Sequence, residues 1–176
     1  MDANTYNINT GEWKQVVDEY ATLERDAHSQ YPTLDENQRD AYQQIILFPI
    51  QAMGNIHQMY YAQAMNRKLF KEGNPDCNLW ADRVEQAFKR DSTLCADYNL
   101  KMAGGKWNGM MIQKHIGYTS WNDDFPADRM PEVKRIENPT NGGYVFTEAN
   151  GVVAMEAEHY YAASDASEAK WTIIPD

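Results

Sequence analysis

The spacing of apolar residues divides the chain into a helical first part and a later part without helical period. Beyond Thr10, a residue type suited to cap a helix, Trp13, Val16, Val17, Tyr20, Leu23 and Ala27 recur at steps of three and four. That stripe predicts a half-buried helix. It should stop near Tyr31-Pro32, because proline disfavours helical geometry in the residue before it. Asp35-Glu36-Asn37-Gln38 then places an acceptor three residues ahead of a glutamine, the pattern of a capping box. A second helix should start there and run to Lys71, with Ala41, Tyr42, Ile45, Phe48, Ala52, Met53, Ile56, Met59, Tyr60, Ala64 and Leu69 on one face. Pro49 lies inside it, removes one backbone bond and crowds the preceding turn, so a kink is expected near residues 45–49.

Gly73-Asn74-Pro75 supplies a stop followed by a new start. A third helix is predicted over about residues 76–90, with Leu79, Trp80, Val84, Ala87 and Phe88 inward. Asp91-Ser92 can cap a shorter fourth, with Leu94, Tyr98 and Met102 inward and an end at Gly104-Gly105. Four helices joined by short turns predict an antiparallel helical bundle over residues 1–103.

After Gly105 the period ends. Residues 104–142 read as an ordered, loop-rich segment and linker, rich in glycine and aromatic residues, that leaves the bundle. From Gly143 the pattern alternates: Tyr144 to Thr147, then Val153, Met155 and Ala157 across an Asn150-Gly151 turn, then Lys170 to Ile174. Residues 143–176 therefore read as a short, incomplete β-sheet, and the fold class as mainly α with that sheet at the C-terminus.

Composition narrows the functional classes. The 176 residues carry 16 Lys and Arg against 26 Asp and Glu, a net charge of −10, which repels phosphate backbones and anionic membranes. Neither nucleic acid nor a membrane is an expected partner; a homodimer remains open. The longest apolar run, Ile45 to Ile50, is far shorter than the roughly 20 residues of a membrane span. Met1 to Thr5 has neither the charge nor the apolar stretch of a secretory signal. Cys77 and Cys95 read as free thiols, and no His or Cys stands at zinc-ligand spacing with either, so no metal and no cofactor are expected. His28, His57 and His159 are isolated and read as surface or internally satisfied residues.

The unusual segment is 103–121, with four glycines, two tryptophans, a histidine and two lysines in nineteen residues and no acid between Asp97 and Asp123. Aromatic faces and polar groups together suit sugar rings and their hydroxyls. The local positive charge suits a carboxylate-bearing ligand or an acidic surface on a neighbouring domain. In the simpler reading, the glycines shape turns and the aromatics seat the loop on the bundle. Lys106, Trp107, Asn108, His115, Tyr118 and Trp121 are the candidates for substrate or domain contact.

Ala103-Gly104-Gly105-Lys106-Trp107-Asn108, Met110-Met111, Gln113, the string His115-Ile116-Gly117-Tyr118-Thr119-Ser120-Trp121 and Met130-Pro131 resemble the region after the catalytic barrel in glycoside hydrolase family 115, the xylan α-glucuronidases. Gln38-Arg39-Asp40-Ala41-Tyr42, Phe48-Pro49 and Asn66-Arg67 resemble its helical domain, and Val153 to Tyr160 the start of its C-terminal β-sandwich. The resemblance implies an inverting hydrolase that removes glucuronate or 4-O-methylglucuronate from xylan, periplasmic or secreted, with its catalytic acids in a barrel preceding the helical domain. Inversion needs two carboxyls about 6.5–9.5 Å apart. The chain has no room for that barrel, and the sandwich stops at Ile174-Pro175-Asp176 before it can close, so an inactive fragment without catalytic residues is expected. Its implied partners are the preceding barrel, the completed sandwich and, through the parent, glucuronoxylan. The alternative is a free-standing carbohydrate-binding or protein-interaction module without catalysis, with Trp107, Tyr118 and Trp121 as its platform.

Overall fold

A computed structural model describes residues 1–118 and 127–137. The chain divides into two compact units, Met1–Arg135 and Ile136–Asp176. The first is mainly helical, built on α1 (Glu12–Gln30), a short α2 (Glu36–Tyr42), α3 (Phe48–Lys71) and α4 (Cys77–Leu100). The strands expected after residue 143 lie outside the described residues.

Helix starts and stops follow local chemistry. At the start of α1 the capping position falls on Gly11, with the Thr10 hydroxyl accepting the Glu12 N–H at 3.4 Å. Pro32 ends α1 in a 3-10 turn, Tyr31–Thr33. Asp35 and Gln38 form the expected capping box of α2. After α3, the Gly73 N–H donates to the Phe70 carbonyl at 3.0 Å and the Asn74 N–H to that of Leu69 at 2.9 Å. These paired bonds close the helix end in a Schellman turn.

Pro49 interrupts the long helix through a π-turn, Gln43–Leu47, in which the Phe48 N–H donates to the Gln43 carbonyl five residues back. A proline ring collides with the carbonyl four residues before it, and widening the turn by one residue moves that carbonyl aside. The extra residue also shifts the phase of the apolar stripe. Ile45, expected inward, is exposed, and Leu47 is buried instead. Met53 and Leu79, also placed on the inner stripes by the sequence pattern, are exposed as well.

The largest departure concerns the last two predicted helices, which are one. Asp91-Ser92 lies inside α4, with Asp91 buried. An aspartate that could cap a helix looks the same in sequence as one whose carboxylate meets a distant partner. The bundle therefore has three long helices and the short α2, where four separate helices were expected.

α3 lies at the centre. Trp13 from α1, Met59 from α3 and Val84 from α4 meet in a core completed by Ala3 and Ile116. α3 also buries polar residues, Asn55, His57, Gln63 and Asn66. Each has a structural partner. The Asn55 side chain donates to the Ala87 carbonyl at 2.8 Å. His57 holds the Met53 carbonyl at 2.7 Å and stacks on Tyr20, with ring centroids 4.7 Å apart.

The segment after Gly105 does not leave the bundle over its described residues. Ile116 is wholly buried in the core. The Asn99 amide pairs with both backbone groups of Met111 at 2.9 Å, as a strand would. Asn66 does the same for Lys134, accepting its N–H at 2.8 Å and donating to its carbonyl at 2.7 Å. Gln63 donates to the Glu132 carbonyl at 2.9 Å. Arg135 bridges Asp82 and Glu85 of α4, at 2.7 Å each. Loop carbonyls and N–H groups that would otherwise need water are thus satisfied by helix side chains. Among the described residues no helix is long and apolar enough to cross a membrane.

Candidate functional site

The site is built where the loop crosses one face of α4. Residues 113–118 run beside residues 127–131, fastened to them by hydrogen bonds. One Asp128 carboxylate oxygen accepts the backbone N–H groups of His115 and Ile116, each at 2.6 Å. The Arg129 N–H donates to the Ile116 carbonyl at 3.0 Å. Gly117 sits in the left-handed region at φ 82°, where an added Cβ would lie 2.8 Å from the Arg129 Cβ and 3.2 Å from its carbonyl oxygen. No larger residue fits that crossing without moving the backbone.

This clasp presents His115 to Asp91. The His115 Nε2 lies 3.0 Å from one carboxylate oxygen of Asp91. Its Nδ1 lies 2.9 Å from the Gln113 carbonyl and 3.9 Å from Asp128. The hydrogen bond to Asp91, aided by the Gln113 carbonyl and the charges of Asp91 and Asp128, outweighs partial burial and pushes the imidazole up to about 9. At neutral pH the ring is an imidazolium that donates from both nitrogens. Cys95, one turn after Asp91 on α4, is pushed up to about 11, by burial first and then by the Asp91 and Asp128 charges. Its thiol keeps its proton at neutral pH. Both cysteines are free, Cys77 buried and Cys95 half-buried.

Of the residues singled out in the sequence, His115 and Tyr118 border one cleft of about 740 Å³, with Tyr60, Gln113 and Lys114 on its walls. Tyr118 is 43% exposed. Lys106, Trp107 and Asn108 are not among the residues lining that cleft. Lys106 and Asn108 are exposed and Trp107 is half-buried, with the Lys106 ammonium 4.8 Å from the Trp107 ring centre. Trp121 lies outside the described residues.

Three residues of this site escape sequence reading. Asp91 carries the signal of a helix cap, Cys95 that of a lone thiol, and Asp128 stands in a stretch without period. Part of the loop's positive charge is also answered inside the molecule, because His115 pairs with Asp91.

The C-terminal segment is similar to a domain of glycoside hydrolases. Residues 145–176 match the family model described as Glycosyl hydrolase family 115 C-terminal domain. It is the family that the loop and helix motifs resemble. No curated protein matches the chain.

Proposed function

We propose that this chain is the post-barrel portion of a xylan α-1,2-glucuronidase, an inverting enzyme that removes glucuronate or 4-O-methylglucuronate. In this reading the helical unit is a scaffold that holds the loop against the catalytic barrel, at the edge of the sugar pocket. The observation that carries it is the family 115 match at residues 145–176, which follows the helical unit and loop in the order the family resemblance requires. The clasp around Gly117 and the amide pairs of Asn66 and Asn99 support a scaffold role, since they fix the loop at the cost of its backbone freedom. The cleft beside His115 combines phenol rings with a cationic imidazole, groups suited to a sugar bearing a carboxylate.

The test is alanine substitution of Lys106 and Tyr118 in an enzyme in which this chain is joined to its barrel, assayed on a glucuronoxylan oligosaccharide. Tyr118→Ala should lower kcat/KM about tenfold, equal to about 1.4 kcal/mol, with the melting temperature unchanged. Turnover unaffected by both substitutions would leave the loop a structural element only.

A further inference from the structure

Asp91 and Cys95 stand four residues apart on α4 and therefore share a face. His115 reaches that face from the loop. One ligand atom from each of the three lies within 4.8 Å of the other two. Burial is graded outward: Asp91 is 4% exposed, Cys95 is half-buried and His115 is exposed. Asp91 thus lies deepest of the three and His115 outermost.

The histidine is oriented from behind. Its Nδ1 lies 2.9 Å from the Gln113 carbonyl, so when an ion displaces one proton of the imidazolium the ring keeps the Nδ1 proton on that carbonyl and frees the lone pair of Nε2, the nitrogen directed at Asp91. Metal-bound histidines are commonly held this way, with one nitrogen on a carbonyl or carboxylate and the other on the ion. Asp128 fixes the backbone that carries the ring, through the N–H groups of His115 and Ile116.

We propose that Asp91, Cys95 and His115 form a three-ligand site for zinc or a similar divalent transition metal, the ion displacing the Cys95 thiol proton and the His115 Nε2 proton to water, with the fourth coordination position open to solvent. The donor set selects the ion: one sulfur, one nitrogen and one oxygen suit zinc, whereas calcium and magnesium take oxygen ligands. The distances fit with small adjustments. Zinc bonds of about 2.0–2.3 Å in a tetrahedron put ligand atoms about 3.3–3.6 Å apart. His115 and Asp91 are already within 3.1 Å, and the widest separation in the group, at most 4.8 Å, has to close by about 1 Å. Side-chain rotation on one helical turn supplies a movement of that size. The site depends on this chain's own residues and not on the xylan reading.

The competing arrangement is an ion pair between Asp91 and His115 with Cys95 as a bystander, and spectroscopy separates the two. The reduced full chain is titrated with cobalt(II), whose thiolate charge-transfer band reports sulfur ligation and whose visible bands report four-coordination. The expected result is saturation at one equivalent and displacement by zinc. Cys95→Ser should lose the charge-transfer band, and His115→Gln should weaken cobalt binding about tenfold or more, both keeping the parent's helical circular dichroism. Cys77→Ala should keep the band. Absence of the band in the parent with excess cobalt, or its survival in Cys95→Ser, would overturn the site.

Discussion

At the scale of single residues, several polar side chains of this protein act as substitutes for backbone. Asn66 is fully buried and makes three contacts, to the Cys77 carbonyl at 2.7 Å and to both backbone groups of Lys134. Asn66→Ala should destabilise the chain by about 2–4 kcal/mol, since it strands buried donors and acceptors. Urea denaturation measures this, and a loss below about 0.5 kcal/mol would show that water replaces the amide freely. His115 adds a pH dependence. Its pKa is about 9 in the folded chain against 6.5 ordinarily, so the stability from its pair with Asp91 is fully present below about pH 6.5 and lost as pH rises through about 9. With chelator present, the melting temperature of the parent should fall across that window more than that of His115→Gln. Identical pH profiles would show that the pair contributes nothing.

At the scale of elements, the information for starting and stopping helices is local, and most of it can be read directly. The capping box at Asp35, the Schellman turn at Gly73 and the disturbance at Pro49 each depend on a few neighbouring residues. The end of α4 is less economical. Ala103 takes φ 48° and ψ 40°, ahead of Gly104 and Gly105, which also have positive φ. A β-carbon in the left-handed region costs about 1–2 kcal/mol, partly offset by the greater unfolded-chain entropy of glycine. Ala103→Gly should therefore stabilise the chain by about 0.5–1 kcal/mol in chemical denaturation. Destabilisation would mean that the Ala103 methyl group packs usefully against the neighbouring chain.

At the scale of the whole molecule, a helical unit and a segment that matches the family 115 C-terminal domain model share one chain with a net charge of −10. An inverting hydrolysis needs an acid and a base held about 6.5–9.5 Å apart around the sugar, and the proposed reading puts both in a barrel outside these 176 residues. The purified chain should therefore release no uronic acid from a glucuronoxylan oligosaccharide. Release that tracks the chain through purification would place the catalytic pair within it and sink the scaffold reading.

The sequence by itself determined the helical character of the first part, its caps and the interruption at Pro49, because hydrogen bonds and side-chain sterics within a few residues govern them. The unusual composition of residues 103–121 also marked the loop, and with it His115 and Tyr118. Only tertiary structure decided that Asp91 lies inside one continuous α4, since its role depends on a histidine 24 residues away. Tertiary structure likewise turned Asn66, Asn99 and Asp128 into clasps on the loop. A polar residue has the same identity on a surface as in a core, and the partner that makes its burial favourable is supplied by a distant part of the chain.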